Sequence, residues 1–300
     1  MKALHNDDLI PKDQTKVQLD TVAFKYAAMV FEGIRAYWNE TEEQLFVFRL
    51  GDHARRLENS VRIMRMDTRL TAKDYSSAVL RVLEANEIRQ DAHIRQMVYV
   101  DGPGEMFGTG PVSHSVVAIP KGRWFSEDEA GIHVCVSSWQ RISDSSLPPR
   151  VKCAANYQNG RLALLQARED GYDGAIVLNS FGKVSEEPRG CVFMVKGGRV
   201  STPKVTNDIL ESITRDTLMV LFRNEQGVDV AERDIDRTEL YLADELFICG
   251  SGLEVTPVLS MDRHQISKGK PGEMTTAIRK SYLKVVHGEL AQYRHWLNKV

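Results

Sequence analysis

Apolar residues recur along the chain with two different spacings, and these predict a mixture of helices and strands. Leu57, Val61 and Met64 are separated by four and three residues, which predicts an amphipathic helix from Asp52 to about Met66. Short apolar runs such as Gln44–Phe48 predict buried strands, because they are brief and rich in β-prone residues. Similar patterns predict helices over about Asp74–Glu87, Asn156–Glu169, Ser212–Asn224 and Thr275–Glu289, and strands over Met97–Val100, Val116–Ile119, Ile132–Ser137, Ala175–Leu178, Cys191–Val195 and Glu245–Cys249.

The predicted elements fall into two blocks, which indicates an α+β chain with two domains. The segment Pro120–Gly131 contains a proline, two glycines and the acidic run Glu127–Glu129, a composition typical of a linker. A chain of 300 residues is also long for one small hydrophobic core. We therefore predict a smaller N-terminal domain over residues 1–119, an interdomain linker over 120–131 and a larger domain over 132–300.

Composition adds that the protein is globular and has little overall attraction to polyanions. Hydrophobic residues make up 42% of the chain and charged residues 27%, a balance that argues against disordered and fibrous proteins. The formal net charge is -2, so the overall charge does not favour binding to nucleic acid or to an anionic membrane. The start of the chain, Met1–Asp8, has no apolar signal region. These features predict a cytoplasmic protein whose partner is a small molecule.

The cysteines and glycines match no metal-binding or dinucleotide-binding motif. The four cysteines are isolated, without the C-x-x-C spacing of zinc ribbons and dithiol enzymes, so we predict buried reduced thiols. His133 and Cys135 share one face of a predicted strand but have no companion ligands, and we expect no metal. The glycines from Gly102 to Gly110 lack the spacing and the strand–helix frame of a dinucleotide fingerprint.

Three separate positions carry groups that suit binding of a phosphate or reaction with a carbonyl compound. Ser212 stands where an N-cap belongs, and the amides that follow it, with the Thr214 hydroxyl, suit a phosphate. Arg56, early on an amphipathic helix, can bind a phosphate through two nitrogens. Lys152 has small apolar neighbours, which favour the neutral amine that Schiff-base formation needs. Taken one at a time, these features are better explained by simple helix capping and by surface exposure of charged side chains.

Several segments, in one order and spacing, carry a resemblance to a known family. They are Val30–Tyr37, His53-x-x-Arg56-Leu57, Val136–Arg141, Lys152 with Asn156-Tyr157, Val184–Glu186, Ile213–Asp216, Tyr241–Phe247, Gly250–Gly252 and Thr256–Val258. Across roughly residues 24 to 280 the sequence resembles the class IV (fold type IV) pyridoxal-phosphate-dependent aminotransferases, and most of all the branched-chain amino-acid aminotransferases. The resemblance implies an α+β, two-domain fold with a smaller N-terminal α/β domain and a larger C-terminal domain with a β-barrel-like sheet core.

The resemblance implies pyridoxal 5'-phosphate as the cofactor and assigns residues to it. Lys152 matches the lysine that holds the cofactor as an internal aldimine and moves the proton between Cα and C4′. Tyr157 matches the tyrosine that hydrogen-bonds the phenolic oxygen, and Glu186 matches the carboxylate that faces the pyridine nitrogen. The cofactor phosphate is expected to bind Arg56, Ile213, Thr214, Gly250 and Ser251.

The same resemblance implies the reaction and its substrates. An amino acid donates its nitrogen and a 2-oxo acid, such as 2-oxoglutarate, accepts it. The matches at Phe31–Arg35 and Ser137–Trp139 favour a branched-chain or other apolar L-amino acid as the donor. The Ser251 and Gly252 amides match the turn that receives the α-carboxylate, and Arg95 is a candidate anchor for the second carboxylate of glutamate. The predicted substrate-binding residues are Tyr26, Phe31, His93, Arg95, Trp124, Ser251 and Gly252.

Three regions depart from the family pattern. Glu187 and Arg189 stand where the family has glycines, and each would strain the turn if its position needs a positive φ. Leu210–Ser212 replaces a Leu-Pro-Gly that often precedes the Ile-Thr pair. His93 stands where branched-chain enzymes commonly have a tyrosine; it either holds the α-carboxylate with a charge that depends on pH, or is only a pocket wall.

The resemblance also implies an assembly, and it leaves other functions open. Fold type IV enzymes are at least homodimers, so we expect a homodimer or higher oligomer in which the Gly102–Gly110 loop covers the neighbouring pocket. A D-amino-acid or amine transaminase, or an aminodeoxychorismate-lyase-like enzyme, would share the lysine, the glutamate and the phosphate-binding residues. A non-catalytic homologue acting as a binding protein would explain the altered turn, but Lys152, Tyr157, Glu186 and Arg56 are all present, which favours an enzyme.

Overall fold

A computed structural model describes residues 1–122 and 131–300, and these form two compact units. Unit 1 contains residues 1–122, 151–155 and 285–300, and the described part of unit 2 contains residues 131–150 and 156–284. These units differ from the predicted domains in two segments, Val151–Ala155 and Val285–Val300, which belong to unit 1. The linker over 120–131 stays a prediction, because residues 123–130 lie outside the described residues.

Strands and helices alternate irregularly along the chain, as expected for an α+β fold. Three short 3-10 helices cover Lys12–Gln14, Ser267–Gly269 and Ala291–Trp296. The elements in chain order are β1 (Lys2–His5), β2 (Asp8–Pro11), α1 (Val22–Tyr26), β3 (Met29–Asn39), β4 (Gln44–Phe48), α2 (Leu50–Ile63), α3 (Ala72–Ala85), β5 (Ala92–Val100), β6 (Val112–Pro120), β7 (Ile132–Gln140), α4 (Asn156–Glu169), β8 (Gly174–Leu178), β9 (Cys191–Lys196), β10 (Arg199–Pro203), α5 (Ile213–Gln226), β11 (Val230–Arg233), α6 (Arg237–Leu240), β12 (Glu245–Gly250), β13 (Glu254–Met261), β14 (His264–Gln265), α7 (Glu273–Val286) and β15 (Leu297–Lys299).

Unit 1 is built on a sheet in the order β15-β4-β3-β5-β6-β1-β2, in which every neighbouring pair is antiparallel. Helix α3 packs on one face of this sheet, where its Val79 and Leu83 share a core with Ile34 and Ala36 of β3. Side chains alternate between the faces of a strand, so the odd-numbered residues of β3 lie on the opposite face. That second face carries Phe31, one of the predicted substrate-binding residues.

Unit 2 is built on a mixed sheet in the order β11-β10-β9-β12-β13-β7-β8, with β14 paired to β13. The two ends of this sheet are joined through the segment around Val184. The Val184 N–H donates to the Ile235 carbonyl just after β11, and the Ser185 N–H donates to the Val177 carbonyl in β8. The sheet core is therefore barrel-like, as the family resemblance implied.

An aromatic stack and a glycine cap fix helix α5 on the sheet of unit 2. The rings of Phe193 and Phe247, on neighbouring strands, are stacked with centroids 4.9 Å apart, and Phe222 of α5 packs on both. The helix ends at Gly227, whose φ of 65° is in the left-handed region that glycine adopts without strain. These contacts set the position of the helix and of its N-terminus on strands β9 and β12.

The predicted elements agree well with the structure for helices and less well for strands. The predicted helix over Asn156–Glu169 is confirmed at both ends. Strands β3 and β13 have no counterpart among the predicted strands. β3 buries Glu32 and Arg35 within its apolar run, and β13 contains Pro257, so neither resembles a simple apolar strand.

All four cysteines are buried thiols, as predicted. Within residues 1–122 and 131–300, the helices are too short or too polar for any of them to cross a membrane. The same ranges contain no group of three or more His, Cys, Asp or Glu side chains that could hold a metal ion.

Candidate active site

Lys152 lies in a short segment of unit 1 that runs beside β3. The Phe31 N–H donates to the Lys152 carbonyl at 2.9 Å, and the Ala154 N–H donates to the Met29 carbonyl at 2.9 Å. Strand β4 pairs only with the far half of β3, from Ala36 onward, so this edge of β3 is open to the lysine segment. The half-buried Lys152 Nζ lies 5.1 Å from the centroid of the Phe31 ring, a cation–π distance.

Phe31, His93 and Arg95 share one face of the sheet of unit 1. The guanidinium carbon of Arg95 lies 4.5 Å from the Phe31 ring centroid. The structure therefore brings Lys152, Phe31 and Arg95 together, with an aromatic ring beside two cationic groups. Across β3 and β5 the register pairs Phe31 with Met97, Gly33 with Arg95 and Arg35 with His93.

His93 is neutral in the folded protein over the usual pH range. Burial lowers its pKa to about 4, and the nearby cations, led by Arg95 and Arg35, lower it further. The lowered pKa favours the neutral imidazole near neutral pH, and the choice between the two expected roles of His93 stays a prediction. The buried Nε2 has no hydrogen-bond partner in the structure, and the ring lies against Gly33. A neutral imidazole at this position can still donate or accept one hydrogen bond.

Arg56 lies on helix α2 and forms an ion pair with Glu32 of β3. Arg56 Nε lies 2.7 Å from Glu32 Oε1, and Glu32 has no exposed surface. The side chain of Arg56 is 13% exposed. The structure thus places a predicted phosphate ligand in a fixed orientation, with a buried carboxylate as its counter-charge.

Glu186 is a buried carboxylate that two donors of unit 2 hold in place. Arg141 Nη2 lies 2.8 Å from Glu186 Oε1, and the Leu210 N–H donates to Oε2 at 3.0 Å. Arg141 Nε also donates to the Asp208 carbonyl at 3.1 Å. A buried charge needs such partners, because removal from water is costly otherwise. Glu186 therefore has a defined position and a charge-assisted hydrogen-bond network around it.

The turn after Glu186 is stabilised by an internal ion pair and is not strained. Neither Glu187 nor Arg189 has a positive φ, so the expected backbone strain is wrong. Glu187 and Gly190 exchange two backbone hydrogen bonds of 2.9 and 3.0 Å. The buried Glu187 carboxylate accepts from Arg189 Nε and Nη2 at 2.9 and 2.7 Å. Burial raises the pKa of Glu187, although Arg189 acts in the opposite direction.

Two glycines allow this turn to lie against the end of β12. A Cβ atom on Gly190 would lie 2.4 Å from the Cys249 carbonyl oxygen, and one on Gly250 would lie 3.0 Å from the Arg189 carbonyl oxygen. Side chains at either position would push the two backbones apart. The close approach brings the turn after Glu186 beside the predicted phosphate ligand Gly250.

Helix α5 starts directly after Ser212, at the N-cap position that the sequence predicted. Ser212 is the N-cap, and its Oγ accepts from the Arg215 N–H at 3.3 Å. Ile213 and Thr214 are the first two helical residues, and both are buried. First-turn amides have no carbonyl partner within their own helix, and the helix dipole adds a partial positive charge. The serine at position 212 thus keeps a working cap where the family often has glycine.

The other predicted residues lie at element ends or outside the described ranges. Tyr157 is the second residue of α4, and Ser251 and Gly252 form the turn between β12 and β13. Tyr26 ends α1 and is 41% exposed. Trp124 lies outside the described residues.

Sequence reasoning missed three residues that hold the candidate site residues in place. Arg141 was part of a recognised segment but had no role, and it pairs with Glu186. Glu32 and His53 were likewise within recognised segments, and both contact the same side-chain cluster as Arg56. The available signal for Glu32 was a lone acid within an apolar strand, which requires a buried cation nearby.

The chain matches one protein family over most of its length. Residues 29–261 match the family described as amino-transferase class IV. A probable branched-chain-amino-acid aminotransferase of Aquifex aeolicus (strain VF5) is 37% identical over 302 residues, which cover 99% of this chain and 96% of that protein.

Solved structures of similar proteins have the same fold. The branched-chain amino acid aminotransferase of Thermobaculum terrenum in its PLP form has a TM-score of 0.94 and 41% identity, covering 99% of this chain and 97% of that chain. The branched-chain aminotransferase of Thermoproteus uzoniensis with norvaline has a TM-score of 0.93 and 36% identity, covering 100% and 99%.

Proposed function

The chain belongs to the class IV aminotransferase family, and we propose that it transfers the amino group of a branched-chain L-amino acid to a 2-oxo acid such as 2-oxoglutarate. The protein is a pyridoxal-phosphate-dependent aminotransferase. The observation that carries the substrate proposal is that Lys152 Nζ and the Arg95 guanidinium both lie close to one aromatic ring, that of Phe31. An apolar side chain can pack on that ring, and a carboxylate of an acidic substrate can pair with Arg95.

The residues present have the chemistry that pyridoxal phosphate requires. Each unit contributes groups of the right kind: a primary amine, a guanidinium, a buried carboxylate and a capped helix N-terminus. Ser185, next to Glu186, also has a fully buried hydroxyl without a hydrogen-bond partner, a polar atom that a neighbouring group can satisfy. When bound, the cofactor supplies an electron-accepting ring that makes the Cα proton of an amino acid easier to remove.

In unit 2 the proposed roles are binding and charge compensation. Glu186, held by Arg141, would accept a hydrogen bond from the ring nitrogen of the cofactor and favour its protonated form. The amides of Ile213 and Thr214 bind the phosphate at the start of α5, together with Gly250 and Ser251. Tyr157 donates to the phenolic oxygen. The Ser251 and Gly252 amides bind the α-carboxylate of the substrate.

In unit 1 the proposed roles are proton transfer and recognition of the substrate. Lys152 Nζ would hold the cofactor covalently and, as a free amine, would carry the proton between Cα of the substrate and C4′ of the cofactor. Arg56 binds the phosphate from the side of helix α2. Phe31 and Tyr26 form apolar walls, and His93 supplies a neutral hydrogen-bonding group.

A donor panel tests the proposal. Purified protein loaded with cofactor is incubated with L-leucine and 2-oxoglutarate, and glutamate is measured; D-leucine and an L-leucine sample without acceptor are run alongside. We expect glutamate from the L-enantiomer only, and none from Lys152→Ala. Cofactor-loaded protein that makes no glutamate from any branched-chain donor contradicts the proposal. Release of pyruvate without an acceptor identifies a lyase instead.

We further propose that the enzyme is a homodimer in the cytoplasm. The support for dimerisation is family membership, together with the exposed apolar pair Met106 and Phe107 in the loop between β5 and β6. The support for the compartment is that the cysteines are buried thiols. Sedimentation equilibrium should give twice the chain mass, and an active monomer would contradict the assembly.

A further inference from the structure

Glu32 is a carboxylate in the middle of strand β3 with no exposed surface. Its neighbours on the same face of the strand, Val30 and Ile34, are core residues. A charged group at such a position is destabilising unless donors surround it. The contacts of Glu32 therefore explain why an acid occupies an apolar face.

Two residues of helix α2 supply those donors. Arg56 grips the carboxylate side-on, with Nε 2.7 Å from Oε1 and Nη2 2.8 Å from Oε2. His53 Nδ1 lies 2.8 Å from Oε2. His53 and Arg56 are three residues apart on the helix, so their side chains lie on the same face.

The charges in this cluster are one carboxylate and one guanidinium. Burial opposes ionisation of Glu32, but Arg56 and then His53 outweigh it and hold the pKa of Glu32 well below its usual range. Burial also lowers the pKa of His53, in spite of the adjacent Glu32. The lowered pKa favours the neutral imidazole of His53, and the tautomer that carries a proton on Nδ1 donates it to Glu32.

Because Glu32 binds Arg56 through Nε and one Nη, it determines the direction in which the guanidinium group points. A guanidinium held through Nε and one Nη points its other end, formed by the two Nη atoms, away from the carboxylate. A buried ion pair adds little net stability over an apolar pair of similar volume. Stability alone thus gives little reason for Glu32, whereas a fixed orientation of Arg56 does.

We propose that Glu32 and His53 are positioning residues that hold Arg56 so that the end of its guanidinium formed by the two Nη atoms meets the phosphate of the cofactor. This inference rests on the proposed function, in which Arg56 is a phosphate ligand. Glu32 fixes the guanidinium plane, and His53 fixes the carboxylate that does so. The conformational entropy of the long arginine side chain is then lost when the protein folds, and not when the cofactor binds.

The test compares two ligands that differ only in the phosphate. Pyridoxal 5'-phosphate and pyridoxal are titrated into apoprotein of the wild type, Glu32→Gln, His53→Gln and Arg56→Lys, and both dissociation constants are measured. We expect Glu32→Gln to weaken phosphate-ester binding by about tenfold and to change pyridoxal binding by less than about threefold. A role only in folding would weaken both ligands alike.

A control variant and a substitute variant ensure that every outcome either supports or contradicts the inference. Glu42→Gln makes the same change in a surface ion pair of unit 1, with Arg294, and should leave both constants unchanged. If Glu32→Gln does not fold, His53→Gln takes its place, with an expected loss of about threefold for the phosphate ester alone. Folded variants that keep the wild-type preference for the phosphate ester overturn the inference.

The arginine variant separates this inference from the proposed function. If Arg56→Lys loses the preference while Glu32→Gln and His53→Gln keep it, Arg56 binds phosphate without their help. If Arg56→Lys keeps the preference as well, the proposed phosphate role of Arg56 is itself wrong.

Discussion

At the scale of single residues, Gly190 is required because backbone from another strand occupies the space of a side chain. A Cβ atom there would lie 2.4 Å from the Cys249 carbonyl oxygen. We expect Gly190→Ala to lower the free energy of unfolding by about 1–3 kcal/mol, measured by urea denaturation. Gly51→Ala is the control: the site is an exposed helix position with ample room, and it should stabilise by up to about 1 kcal/mol. Equal effects of the two variants would contradict this explanation.

His114 makes stability depend on pH below neutrality. Burial lowers its pKa from 6.5 to about 4, and its Nε2 accepts from Gln96 Nε2 at 3.0 Å. The unfolded chain therefore binds more protons between pH 4 and 6.5, so the contribution is fully present above pH 6.5 and is lost as the pH falls toward 4. We expect His114→Gln to reduce the slope of unfolding free energy against pH by up to about 1.4 kcal/mol per pH unit. A slope equal to that of the wild type would contradict the assignment of this pH dependence to His114.

Single residues also show how far sequence reasoning extends. Lys152 and Glu186 were identifiable because family motifs keep the spacing around them. The residues that hold the site in place were not identifiable. The alternation of side chains along β3 places Glu32 on an inward face, but it does not show that Arg56 is the cation beside it. The lowered pKa of His93 likewise depends first on burial, and then on cations that include Arg35 of β3, so it needed the three-dimensional structure.

At the scale of elements, the start of helix α5 has two roles. Ser212 caps and stabilises the helix, and the proposed phosphate site lies at the same end. Ser212→Asp keeps a good N-cap and adds a charge that the helix dipole favours, so we expect the apoprotein to unfold at the same or higher temperature. The same charge repels a phosphate at the helix start. We expect the dissociation constant for pyridoxal phosphate to rise by about tenfold or more, measured by titration of the apoprotein.

A cap on another helix provides the control for this prediction. Thr71 caps α3 in a capping box with Asp74, away from the proposed cofactor residues. Thr71→Ala should lower stability by about 1 kcal/mol and leave cofactor affinity unchanged. If Ser212→Asp binds the cofactor as tightly as the wild type, the phosphate does not lie at the start of α5.

Helices and strands were predictable where the buried residues recur at a regular spacing along the chain. Helix α4 shows the helical spacing over its whole length and begins and ends as predicted. β13 does not show a strand pattern, because Pro257 lies in its middle, in register with Phe247 of β12. A proline there is tolerated by the surrounding sheet, which is tertiary information that a local pattern lacks.

At the scale of the whole molecule, the chain returns twice to unit 1 after leaving it. Val151–Ala155 pairs with β3, and β15 pairs with β4 at the end of the chain. The predicted division at residues 120–131 rests on local composition. Local composition does not show that a later segment of the chain packs with an earlier unit. The position of Lys152 beside Phe31 therefore needed the structure, although its chemistry was readable from the sequence.

The most direct test of the central claim is a half-reaction with wild-type enzyme loaded with pyridoxal phosphate and no acceptor. On addition of L-leucine we expect the yellow absorbance of the lysine-bound cofactor to fall while about one equivalent of 4-methyl-2-oxopentanoate forms per subunit, and 2-oxoglutarate to restore the absorbance with release of glutamate. Lys152→Ala should show neither change. If the loaded wild type keeps its absorbance with every branched-chain donor, the chain is not the aminotransferase proposed here.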